Sequence, residues 1–90
     1  MLIPRYAGAY KRDVRRAHKR RYDLKSLDAV IALLCRSEPL PVRCRPHPLK
    51  GDWTGFLECH IGPDWLLIYK VAGKELLLMR TGTHSDLFGE

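Results

Sequence analysis

An α+β domain is predicted for this chain: an antiparallel β-sheet with two helices packed on one of its faces. Two observations carry that prediction. Up to about residue 36 the apolar residues recur at intervals of three and four, and after Gly55 the period falls to two. Ninety residues are also too few for two cores that would each stay folded, so residues 1–90 are read as a single domain.

The elements follow in order. Residues 2–6 make a candidate N-terminal strand. From residue 9 to about 21, Tyr10, Val14 and Ala17 form a narrow apolar stripe on a helix whose other face is almost wholly basic. Asp23 can cap a second helix that buries Leu24, Leu27, Val30, Ile31 and Leu34. That helix should stop near residues 36–38, because Pro39 and Pro41 disfavour helix in the residues before them. Together the two make an antiparallel hairpin. Residues 38–53 read as a loop rich in proline and basic residues, with His47 inside it. Three strands of a meander then follow. In the first, Leu57, Cys59 and Ile61 point one way, and Phe56, Glu58 and His60 the other. Gly62 and Pro63 reverse the chain, and Ala72-Gly73 separates a second strand at 65–71 from a third at 74–81.

Composition narrows the function. With 46% hydrophobic residues the chain is not generally disordered. No apolar run approaches the ~20 residues of a membrane span. Pro4 and Arg5 break the short apolar start, so no signal peptide is read and a cytoplasmic protein is expected. Cys35, Cys44 and Cys59 are odd in number and irregular in spacing, which does not describe a disulfide framework. A net charge of +6 implies an acidic partner: nucleic acid, an anionic membrane surface or an acidic protein. Lys11, Arg12, Arg15, Arg16, Lys19, Arg20, Arg21 and Lys25 crowd one stretch, opposed only by Asp13 and Asp23. A solvated helix face is one reading of that run. Its same-sign excess favours a binding surface.

The chemistry lies in the other half. Antiparallel strands bring the end of the first meander strand, the start of the second and the end of the third to one rim of the sheet. His60, Asp64 and Arg80, with His84 in the tail, therefore converge. Such a set suits RNA cleavage by internal transfer. A base takes the proton of a ribose 2′-hydroxyl, which attacks the adjacent phosphate, an acid protonates the leaving 5′-oxygen, and a cation steadies the phosphoryl charge. Histidine serves either proton and arginine grips phosphate. Trp65 or Phe88 is placed to stack an unpaired base.

Each residue has a plainer reading. His60 can be polar surface, Trp65 core, Phe88 a terminal anchor and Asp64 a turn residue; Arg80 can pair with Glu58 or Glu75, and His18 needs no role. Cys44 and His47 have a ligand-like spacing for zinc, with Cys59 and His60 nearby. Adjacent strand residues face opposite sides, so Cys59 and His60 do not readily share an ion, and no metal or other cofactor is expected.

The segments HPLKGDWTGFLECHIGPDWLLIYK and MRTGTHSDLFG, with the opening YKRDV, resemble the YafQ-type toxins of the bacterial RelE/ParE superfamily over nearly the whole chain. The resemblance implies a RelE-like α+β toxin that cleaves mRNA in the ribosomal A site. It further implies a neutralising antitoxin, expected to be acidic, whose complex with the toxin binds operator DNA. Carried over by position, the family's functional residues fall on His47, His60, Asp64, Trp65, Arg80, His84 and Phe88. His84 is then the general acid and Arg80 the phosphate-stabilising cation, with His60 and Asp64, joined by His47, on the base side. The basic helix, through Lys11, Arg12, Arg15, Arg16, Lys19 and Arg20, becomes a surface for ribosomal RNA. Two alternatives of another class stay open: a non-catalytic gyrase binder of the ParE kind, or a basic nucleic-acid-binding module.

Overall fold

β1 (Ile3–Tyr6) leads into two helices, α1 (Gly8–Lys19) and α2 (Leu24–Cys35), and then into a long connection holding β2 (His47–Pro48). The meander β3 (Leu57–Gly62), β4 (Trp65–Ala72) and β5 (Glu75–Gly82) follows, and α3 (His84–Phe88) ends the described chain. These elements are those of a computed structural model, which describes residues 1–89.

The expected class stands, with two changes to the sheet. Its five strands lie in the order β1-β5-β4-β3-β2. β1 runs parallel to β5, from Ile3 opposite Glu75 to Tyr6 opposite Leu78, so the sheet is mixed and not purely antiparallel. A parallel pair needs a long crossover, which the intervening helices and meander supply. The second change is β2, where His47 faces Glu58 and Pro48 faces Leu57 inside the segment expected to be loop. Two residues carry no readable periodicity.

Both long helices end where their sequence lets them. Asp23 caps α2 by accepting from the Lys25 backbone N–H at 3.1 Å. After α1, Arg21 takes a left-handed conformation (φ 61°), and after α2 Ser37 does the same (φ 54°). In each case two backbone N–H groups return to the last turn: Tyr22 to Ala17 and Arg21 to His18, Glu38 to Leu33 and Ser37 to Leu34. α2 therefore stops at Cys35, just short of the expected 36–38.

The alternation within the strands divides the sheet's two faces. Tyr10 and Ala17 of α1 and Leu27, Val30 and Cys35 of α2 cover Cys59, Trp65, Leu67, Tyr69, Leu76 and Leu78. Each fully buried leucine contributes about 1.5–3 kcal/mol. Leu66, Ile68 and Leu87 form a smaller core on the opposite face, joined by Trp53, Phe56 and Phe88. That second face, closed by α3, carries the site.

Candidate active site

His60 ends up beside α3 because β3 alternates strictly. Cys59 is buried under the helices, so its neighbour must face the other way. Register completes the row: His60 lies opposite Leu66, and Leu66 opposite Gly82, two residues before His84. The rings of His60 and His84 are 6.3 Å apart between centroids, and Phe88 lies a further 6.3 Å from His84.

Asp64 fixes His84. Its Oδ1 accepts from the His84 backbone N–H at 3.0 Å and meets the ring Nδ1 at 2.7 Å. These two bonds hold the Asp64 carboxyl below its ordinary range. The family resemblance puts Asp64 on the base side with His60; the geometry gives it to His84, because the β3–β4 turn and the first turn of α3 meet at one rim. Nδ1 is thus the ring nitrogen that the carboxylate engages.

His47 stands on the same face but is engaged on both sides. Nδ1 lies 3.1 Å from the Arg45 carbonyl, and Nε2 lies 3.3 Å from Oε1 of Glu58. Both partners are acceptors. Glu58 itself is buried at 4% exposure in the floor of this face, a side chain that the sequence offers as a strand residue and a partner for Arg80.

Arg80 shares a cross-sheet row with Glu58 and Ile68, at the point where β4 and β5 slip register. Its guanidinium grips Asp13 of α1, through Nε at 2.6 Å and Nη2 at 3.1 Å. Neither anticipated partner is used: Glu58 faces His47, and Glu75 pairs with Arg5. β1 covers β5 only as far as Leu78, so the Thr81 backbone N–H beyond it also donates to Asp13, at 3.1 Å. Two of the five guanidinium N–H groups are thereby spent and three are left for an anion.

The same ion network recruits α1. Arg16 bonds Asp13 at 2.9 Å, and Arg20 holds both oxygens of Asp86, at 2.7 and 3.2 Å. Asp86 in turn closes a capping box with Thr83 at the start of α3. Arg16 and Arg20, expected on an RNA-binding surface, are thus committed to carboxylates within the fold. Arg12 and Lys19 remain exposed on α1, while Lys11 and Arg15 border an apolar groove between α1 and α2.

Trp65 is elsewhere. It is 8% exposed, donates from Nε1 to Thr81 Oγ1 at 2.9 Å, and packs on Tyr22 with ring centroids 4.9 Å apart. It lies under the helices and offers no face to a base. Phe88, half-buried beside His84, keeps that capacity. Among the described residues no three His, Cys, Asp or Glu side chains gather into a group that could hold a metal ion.

Comparison with known proteins decides the family. The family described as a bacterial toxin of type II toxin–antitoxin systems, YafQ, matches residues 3–89. The chain belongs to the YafQ toxin family. The mRNA interferase toxin YafQ of Escherichia coli K12 is 46% identical over 85 residues, covering 93% of this chain and 92% of that one. The crystal structure of YafQ from E. coli BL21(DE3) superposes with a TM-score of 0.92 at 40% identity, covering 99% of this chain and 100% of the other. The toxin in the E. coli DinJ–YafQ toxin–antitoxin complex gives 0.89 at 44% identity and covers 98% of each chain. As a YafQ-family member the protein is a toxin of a type II system with the mixed sheet and flanking helices of that family.

Proposed function

We propose that this toxin is an endoribonuclease that cuts mRNA on the ribosome, in the A site, and so stops translation. The observation that carries the reading is the His60–His84 pair, 6.3 Å apart with one ring fixed by Asp64. His84, steadied by the Asp64 anion, donates a proton to the leaving 5′-oxygen. His60 takes the proton of the 2′-hydroxyl as that oxygen attacks phosphorus. The three uncommitted N–H groups of Arg80 stabilise charge on the non-bridging oxygens. His47 has both ring nitrogens engaged by acceptors, which leaves the base role to His60. Phe88 stacks a base next to the cut. No metal step is invoked.

The relative's name, an mRNA interferase, agrees with this chemistry, and the DinJ complex gives the kind of partner expected: a cognate antitoxin, acidic against a chain of +6. In its complex with that antitoxin the toxin contacts operator DNA only indirectly. The site of action is the cytoplasm, where ribosomes are; no helix among the described residues is long and apolar enough to cross a membrane. A gyrase binder would need neither the fixed imidazole nor the arginine.

The test is a translating extract in which mRNA ends are mapped. Codon-phased cuts that persist in chelator and fall about 10²–10⁴-fold in His84→Ala are expected. Intact mRNA with the wild-type chain, or inhibition of gyrase instead, would overturn the reading.

A further inference from the structure

We infer that a second RNA-binding subsite lies next to the reacting histidines, in a cleft built by Arg43 and Arg45, and that it holds the backbone phosphate adjoining the scissile one. The inference rests on the nuclease reading above for its substrate, but on different residues.

The cleft has a volume of about 540 Å³ and is walled by Val42, Arg43 and Arg45 on one side and by His60, Ile61, Gly62 and Pro63 on the other. That size falls within the range of pockets that enclose small ligands. His60 belongs to both places: its ring faces His84, and the same residue lines this cleft. A strand of RNA with its scissile phosphate between the two histidines therefore continues into the cleft that His60 also lines.

The loop that carries the arginines is built to present them outward. Cys44, between them, is buried at 2% exposure and anchors a single 3₁₀ turn. Its neighbours Arg43 and Arg45 are consequently exposed. Among the described residues neither guanidinium has a carboxylate partner, in contrast to Arg16, Arg20 and Arg80 of the same basic chain. Arg45 also holds a left-handed backbone (φ 42°, ψ 61°), a conformation that residues other than glycine avoid. It closes the 3₁₀ turn as Arg21 and Ser37 close the long helices. Here the conformation is tied to the chemistry, because the Arg45 carbonyl is the one that meets His47 Nδ1 at 3.1 Å. An anion drawn onto Arg45 bears on the backbone that positions His47.

Arginine suits the task because its planar fork matches phosphate oxygens in pairs. Ile61 and Pro63 give the opposite wall an apolar surface for a ribose or base. An acidic protein segment would also be attracted by two arginines. RNA is the better occupant, since one wall of the cleft is a residue of the cleavage site.

The test uses the full chain and a short single-stranded RNA with 2′-O-methyl groups throughout, which binds but lacks the attacking hydroxyl. Fluorescence anisotropy is measured across a salt series for the wild type and for Arg43→Gln with Arg45→Gln. Both side chains are exposed, so the fold should survive, and circular dichroism checks it. The subsite predicts an affinity loss of about tenfold near 0.1 M salt. It also predicts a plot of log affinity against log salt that is shallower by about 0.7, for the one phosphate that is no longer neutralised. In the extract, the double variant should raise KM far more than it lowers kcat, the reverse of His84→Ala. Unchanged affinity and slope would overturn the subsite, as would a wild-type chain that does not bind the oligonucleotide, or a double variant that loses antitoxin binding alone. A chain that binds RNA through these arginines yet never cuts mRNA would instead sink the nuclease reading and leave the subsite standing.

Discussion

Asp64 Oδ1 takes two hydrogen bonds from one residue, the backbone N–H of His84 at 3.0 Å and the ring Nδ1 at 2.7 Å. One carboxylate oxygen thus sets both the start of α3 and the tautomer of the ring. Because these bonds lower the Asp64 carboxyl's affinity for protons, the anion persists through the whole neutral range. Asp64→Asn keeps an acceptor for the backbone N–H but removes the charge beside the imidazole. We expect roughly a tenfold or greater fall in kcat, little change in KM, and no further loss when the substitution is added to His84→Ala, since the two act as a unit. Wild-type cutting by Asp64→Asn would reduce Asp64 to a turn residue. Residue type and strand direction together make His60, Asp64 and His84 legible in the sequence. Trp65 is not legible there: a tryptophan opening a strand reads equally as platform or core, and only the packing of Tyr22 and the hydroxyl of Thr81 decide for core.

α3 has five residues, far too few to be helical by itself. Besides the Asp64 bond to the His84 N–H, it is held by the Thr83–Asp86 capping box, the burial of Leu87, and the bidentate grip of Arg20 on Asp86. Gly82 permits the approach, because a Cβ there would stand 2.9 Å from Asp86 Oδ2. The charge run on α1 points to RNA because periodicity reports which face a residue occupies and not which distant residue it meets. Arg20 and Asp86 are 66 positions apart. This anchor titrates. Arg20 is the main cause, with Thr83 and Arg16 adding, that holds the Asp86 carboxyl well below its ordinary value of about 3.9. A carboxyl lowered in the folded state contributes stability that is complete above its unfolded value and is lost as pH falls through its folded one. Asp86→Asn should therefore lower Tm by several degrees at pH 7, with the gap to wild type constant down to about pH 5 and closing below about pH 4. A gap independent of pH would assign the loss to the cap and not to the ion pair.

At the scale of the molecule, the sheet separates support from chemistry. The face under α1 and α2 is apolar and continuous, whereas the opposite face carries His47, Glu58 and His60 beside a smaller core. Alternation after Gly55 makes this division readable, down to the opposite facing of Cys59 and His60. Pairing direction and the two-residue β2 are not readable, because both depend on contacts between segments and not on local period. The division makes the three cysteines reporters of the whole fold. Cys35, Cys44 and Cys59 are 8%, 2% and 0% exposed, one each from α2, the loop and β3, and all belong to the helix-side core. Burial also pushes the Cys59 thiol up to about 12, so little thiolate exists there near neutrality. In native buffer at pH 8 a thiol reagent should label essentially none of the three. In a urea series all three should become reactive at one midpoint, coincident with the loss of far-ultraviolet circular dichroism, because a single domain of this size unfolds cooperatively. Earlier release of Cys35 would show that α2 detaches as a separate unit, and labelling without denaturant would contradict the packing of the helix layer on the sheet.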